Sequence, residues 1–150
     1  MCRGKMVTDL FQDFTSRYKM NLTIYSQYRI RQTFVDWHVP KDFADPMYNY
    51  LVYGYSPGSC FTAVLANDFI GAMRSSHPAN TVEAFKSLAG WIHDKLPVES
   101  YGSYLAVKHW ISLEDEDRRR VLEIHRLIYT SKEEVIMTLK SEKTVEPILY

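Results

Sequence analysis

Pro40, Pro46, Pro57, Pro78 and Pro97, with Gly54, Gly58 and Gly102 among them, cut the middle of the chain into short pieces. Proline removes a backbone donor and pushes its predecessor out of helical geometry, so no long helix or central strand can cross these points. Between the breaks, apolar residues recur at steps of three and four, the spacing of one helix face. The fold class this predicts is mainly α, a single domain over residues 1–150 built of four to six short helices. A chain of 150 residues with 46% hydrophobic and 24% charged side chains has enough apolar material for one core.

The clearest helix is SPGSCFTAVLANDFIGAMRSS, where Phe61, Val64, Leu65, Phe69 and Met73 form a stripe and Ser56 or Ser59 offers a cap. A second is expected from Asn80, with Glu83 as capping-box partner and Phe85, Leu88, Ala89, Ile92 and Leu96 buried, ending at Pro97. Gly102-Ser103 then turns and caps a helix carrying Tyr104, Val107, Lys108 and Ile111, with Trp110 at the core edge. Ser112 and Asp115 suit another cap. The acids of EDEDRRRVLEIHRLIY fall in the first turn, and Glu114–Arg118 and Glu116–Arg120 are four apart. Its apolar face is read as Val121, Ile124, His125 and Ile128. MYNYLVYGY is a short helix stopped by Gly54. Two segments stay open: residues 22–37 and 132–140 suit either helix or strand, which allows a small two-stranded element between the early segment and Val135.

Met6 and Met20 offer alternative starts, so residues 1–19 are expected to be an extension or a disordered segment that adds little to the fold. The tail SEKTVEPILY reads as loop or docking segment. The start lacks the apolar run of a signal peptide, and no stretch approaches the roughly 18 apolar residues of a membrane span. With Cys2 and Cys60 far apart, neither a disulfide framework nor a metal knuckle is expected, and a cytoplasmic setting is.

No catalytic grouping stands out, and no cofactor or metal site is expected. His77, His93, His109 and His125 are evenly spaced, yet their flanks share no pattern and no short zinc-ligand spacing occurs. Cys60 in a first helical turn is an ordinary small apolar residue before it is a nucleophile. Loop 54–59 lacks the endings of a P-loop or a dinucleotide fingerprint. Eighteen basic and 18 acidic side chains give no net charge, which disfavours nucleic acid as partner. The acidic run 114–117 and Arg118–Arg120 nevertheless leave a nucleic-acid mimic or binder as one alternative, with a solvated, self-paired helix preferred. Asp68 borders the apolar stripe, so it needs a partner: a cap or anchor for a neighbouring helix near Asn80 or Ser103. The 11 tyrosines cluster around 48–55 and again at Tyr101 and Tyr104, beside Trp110. Tyrosine combines contact area with a polar tip and suits a partner-binding or self-association surface as well as a core. Candidate partner or ligand residues are therefore Tyr53, Tyr55, Ser59, Asn67, Asp68, Asn80, Tyr101, Tyr104 and Trp110.

Over residues 46–111 the chain resembles small bacteriophage and prophage proteins of uncharacterised function. The pattern is carried by Gly54, Pro57, Gly58, Ser59, Thr62, Ala63, Val64, Leu65, Asn67, Asp68, Asn80, Pro97, Gly102, Ser103, Val107 and Trp110. The chain departs from it at Cys60, His77 and Pro78, where those proteins have phenylalanine, alanine and aspartate, so these three are not shared functional positions. Segments 1–45 and 112–150, the latter a C-terminal helix and tail, read as additions. No activity comes with the resemblance itself; taken with the absence of catalytic groupings and the neutral charge, it leads to the expectation of a non-catalytic phage accessory protein, acting in the cytoplasm of an infected bacterial host, that binds and modulates a host or phage protein through an aromatic-rich surface. A homo-oligomer, or a pocket for a nucleotide-like anion built from residues 56–59 with Asn67, Asp68 and Asn80, is the alternative.

Overall fold

The computed structural model of the protein describes residues 21–129 and 131–141. The readings of residues 1–19 and of residues 142–150 in the tail lie outside them. The chain is mainly α, as the breaks in the sequence predict, but with eight α-helices among the described residues rather than four to six. They are α1 (Asn21–Asp36), α2 (Ala44–Tyr48), α3 (Ser59–Leu65), α4 (Phe69–Ser75), α5 (Val82–Lys95), α6 (Tyr104–Ser112), α7 (Asp115–Ile124) and α8 (Lys132–Ser141). A π-helical turn, Asn49–Tyr53, prolongs α2, and 3-10 turns occupy Lys41–Phe43 and Val98–Ser100. Both open segments are helical, and no strand occurs among the described residues. The expected meeting of the early segment with Val135 is made by helices instead: Tyr25 of α1, Tyr129 and Val135 of α8 bury one another.

The extra helix comes from a break at residues 66–68. Asn67 is left-handed (φ 64°), its N–H donates to the Val64 carbonyl and that of Asp68 to the Ala63 carbonyl, a Schellman closure of α3. Asp68 then caps α4 by accepting from the Gly71 N–H at 2.9 Å. The break rotates the helix phase, which turns Phe69, an expected core residue, out to 66% exposure. His38 and Arg126 close α1 and α7 in the same left-handed way, with Val39 and Leu127 packed in the core beyond them.

Several expected caps move. Gly58 occupies the N-cap of α3, where neither Ser56 nor Ser59 bonds a helical N–H. Thr81, not Asn80, caps α5 through Ala84, and Glu114 precedes α7 without a side-chain cap, Ser112 donating instead to the His109 carbonyl. Ser103 caps α6 as expected.

One connected cluster of buried side chains runs from Ile30 and Phe34 through Met47, Leu51, Leu65, Leu88, Trp91 and Val107 to Leu122 and Ile128. Segments on both sides of residues 46–111 thus belong to the same core. Phe34 meets Trp91 edge to face, and the Trp91 indole donates to Thr33 at 2.8 Å. Trp37 lies on Gly90, where an added Cβ would come within 2.5 Å of the ring, and donates to Asp94 at 3.0 Å. That bond, ahead of the charge of Lys95, lowers the Asp94 pKa.

Arg118 is the main departure from expectation. It is 2% exposed, not on a solvated face, and its guanidinium donates to the carbonyls of Val52, Trp110, Ile111 and Leu113 and to the Asp115 carboxylate. The ion pairs of α7 are Asp115–Arg118 and Asp117–Arg120, three apart rather than four. The buried stripe of α7 follows Arg118 and Leu122, with Ile124 and His125 exposed. Gly54 (φ 70°) lies against Arg118: a Cβ there would come within 2.6 Å of Nη1.

Replacing Arg118 by Met removes the side-chain donor to four carbonyls, and the expected loss is about 3–5 kcal/mol in urea denaturation. Asp115→Ala, at a mostly exposed carboxylate, is expected to cost less than about 1 kcal/mol. Equal effects of the two substitutions would contradict the assignment. Arg126→Gly, which relieves a left-handed arginine at an exposed position, should raise stability by about 0.5 kcal/mol, with no change or a loss counting against it.

Candidate functional site

The first turns of α4 and α6 meet at one corner. The Gly102 N–H donates to the Leu65 carbonyl at 2.7 Å, which sets the start of α6 against the end of α3. The Tyr104 hydroxyl then donates to Asp68 at 2.5 Å. Gly71 leaves room for this, because a Cβ there would come within 2.2 Å of the Asp68 carboxylate and force it to shift. The Tyr104 hydrogen bond, followed by the Gly71 N–H and the charge of Arg74, holds the Asp68 carboxyl below the usual range. The same bond pushes the Tyr104 phenol up. Asp68 is thus the anchor the sequence called for, though it caps its own helix and reaches Tyr104 rather than N–H groups near Asn80 or Ser103.

Two concave surfaces flank the corner. On one side Ser56, Ser59, Thr62, Arg74, Ser75 and Tyr104 surround a polar hollow of about 360 Å³. On the other, Val64, Phe69, Ala72, Met73, Val82 and Phe85 line an apolar groove of about 350 Å³ between α4 and α5, edged by Asn67, Asp68 and Lys86. Phe69, Ile70, Tyr104 and Leu105 are all more than half exposed at the corner itself, and Leu105 is 77% exposed.

The expected site residues separate accordingly. Ser59, Asp68 and Tyr104 share the polar hollow, whereas Asn67 lies on the groove side and Tyr101 beyond it. Asn80 is exposed in the turn before α5 and lines neither, so the expected set of residues 56–59, Asn67, Asp68 and Asn80 does not form one pocket. Tyr53 stacks on exposed Tyr55 at 5.6 Å, and neither lines the hollow that holds Tyr104. Trp110 is fully buried and its indole donates to the Tyr50 and Leu51 carbonyls, which makes it a core residue and not a contact for a partner. Tyr48 and Tyr50 are buried as well. Burial pushes both phenols well up, and Tyr50 donates to the Ser100 carbonyl at 2.6 Å.

Cys60 fills a gap between α3 and α4, its thiol directed at the Ala72 carbonyl at 3.5 Å, and burial raises its pKa. That is the environment of an inert packing thiol. Among the described residues no three His, Cys, Asp or Glu side chains gather as metal ligands. Of the basic run, Arg118 is buried and Arg120 is paired with Asp117, so it does not present three free cations to phosphate. No described helix is long and apolar enough to cross a membrane.

Sequence reasoning overlooked Ile70, Val82 and Leu105 as surface residues, and Arg74 and Lys86 as neighbours of Asp68. The available signal was Asn67-Asp68, a left-handed closure followed by an N-cap, which breaks the apolar period.

No family model, curated protein or solved structure matches the chain.

Because the Asp68 pKa is lowered on folding, its contribution is full above the unfolded value near pH 4 and is lost as pH falls through the folded value. Asp68→Asn should therefore flatten the acid limb of the stability curve between about pH 5 and pH 2. Tyr104→Phe should move the Asp68 carboxyl titration, followed by NMR, back up toward the ordinary range. An unchanged titration in Tyr104→Phe would remove the hydrogen bond from this account.

Proposed function

We propose that the protein is a non-catalytic bacteriophage accessory factor that binds a bacterial host protein or another phage protein, using the corner formed by α4 and α6. The observation that supports this most is the collection of exposed Phe69, Ile70, Tyr104 and Leu105 beside an apolar groove. Contiguous exposed apolar surface loses the stabilisation of burial until a partner covers it, and it marks interaction sites. The binding surface in this reading is aliphatic as much as aromatic, since Tyr48, Tyr50 and Trp110 belong to the core. The phage setting and the cytoplasm of an infected host rest on the resemblance of residues 46–111.

The second reading, a small-ligand site, is favoured by Ser59, Thr62, Tyr104 and the cationic Arg74 lining one polar hollow. A rise in melting temperature with a nucleotide-like anion, abolished by Arg74→Ala, would select it.

The test is affinity capture of the tagged full-length protein from nuclease-treated bacterial lysate, alongside Ile70→Glu, Leu105→Glu and the equally exposed Ile124→Glu on α7. A stoichiometric partner should be retained by wild type and Ile124→Glu and lost by at least tenfold with the two corner variants, whose melting temperatures stay near wild type. Equal capture by all four, or saturable turnover of a defined substrate lost with one side chain, would overturn the proposal.

A further inference from the structure

The α4–α5 groove and a smaller one of about 280 Å³ beyond it share Val64, Asn67 and Ala89, so they adjoin as one trough. Its α5 bank is Val82, Lys86, Ala89 and His93, at steps of four, three and four. At 1.5 Å per residue this run is about 16 Å long, or three helical turns. The facing bank begins at Phe69 and ends at Tyr101.

Asp68 and Lys86 are the carboxylate and ammonium on this lining. The Asp68 carboxylate is occupied by the Tyr104 O–H and the Gly71 N–H, while Lys86 makes no ion pair among the described residues. The trough is therefore mainly apolar, with Lys86 unpaired on its α5 rim and the still-charged Asp68 carboxylate, held by its two hydrogen bonds, at the N-terminus of α4. An extended peptide laid in it would face apolar walls with unpaired backbone N–H and C=O groups, whereas a helix satisfies its own.

We infer that the trough receives an amphipathic helix of about three turns from the partner protein, its apolar residues at i, i+3 or i+4, and i+7, with a carboxylate on the flank that meets Lys86. This deepens the protein-binding reading and rests on it.

A displayed library of random 16-residue peptides, selected on the full-length protein, supplies the probe. The expected winners carry the helical apolar spacing with Asp or Glu on one flank, and synthetic copies become helical on binding. Ala89→Glu, an exposed substitution that fills the trough, should weaken them by at least tenfold. Lys86→Glu should weaken them by about tenfold at low salt and shift selection toward Lys- or Arg-flanked helices. Winners that are proline-rich, extended or indifferent to Ala89→Glu would overturn the inference, as would no enrichment. A concentration-dependent dimer abolished by Ala89→Glu would also overturn it, by making a second copy the occupant. If Ile70→Glu abolishes lysate capture while the library yields no acidic helix, the helix in the trough falls and the protein-binding reading stands.

Discussion

The fold turns on a single buried guanidinium. The end of α6 and the π-helical turn after α2 bring their last carbonyls into one space, where backbone donors run short, the Trp110 oxygen keeping one from the Leu113 N–H. Arg118 supplies the donors, reaching Val52 on one side and Trp110, Ile111 and Leu113 on the other. Its positive charge also meets the negative ends of both segments, which is the favourable sense of the helix dipole. Lysine has neither the fork nor the reach to replace it. The Gly54 backbone lies so close to the guanidinium that any side chain there would displace it, and the Trp110 indole completes the arrangement by donating to Tyr50 and Leu51.

From that point order passes along α6. Arg118 fixes its C-terminal end; the Gly102 N–H on the Leu65 carbonyl and the Tyr104 hydroxyl on Asp68 fix its beginning. The helix is short, so both ends being tied leaves little freedom for the corner that carries Tyr104 and Leu105. Stability and surface are thus divided between two ends of one element: polar bonds inside at residue 110, apolar side chains outside at residue 105. Gly54, Asn67, Asp68, Gly102, Ser103 and Trp110 are turns, caps and a core indole, so they specify how the helices are joined more than what they bind.

Much of the architecture was legible because proline and glycine act locally. The end of the turn at Gly54, the stop near Pro97 and the cap at Ser103 depend on backbone geometry of one or two residues. What could not be read was set across the chain. Nothing adjacent to Arg118 distinguishes it from Arg119 and Arg120; its burial follows from carbonyls contributed by residues 52 and 110–113. The break at Asn67 was visible as a pair of residue types but is overridden by apolar spacing if only periodicity is weighed, and the exposure of Phe69 and Ile70 follows from it. The tyrosines of residues 48–50 and Trp110 carry the composition of an interface, and only packing shows them to be core.

The division between scaffold and surface is tested most directly by a scan of single substitutions at every described position, each scored for cellular abundance and for retention of the captured partner. The account predicts that Gly54, Trp110 and Arg118 lose abundance and retention together, while Phe69, Ile70 and Leu105 lose retention at normal abundance. Retention-specific positions gathered at Tyr53 and Tyr55, or abundance indifferent to Arg118, would contradict it.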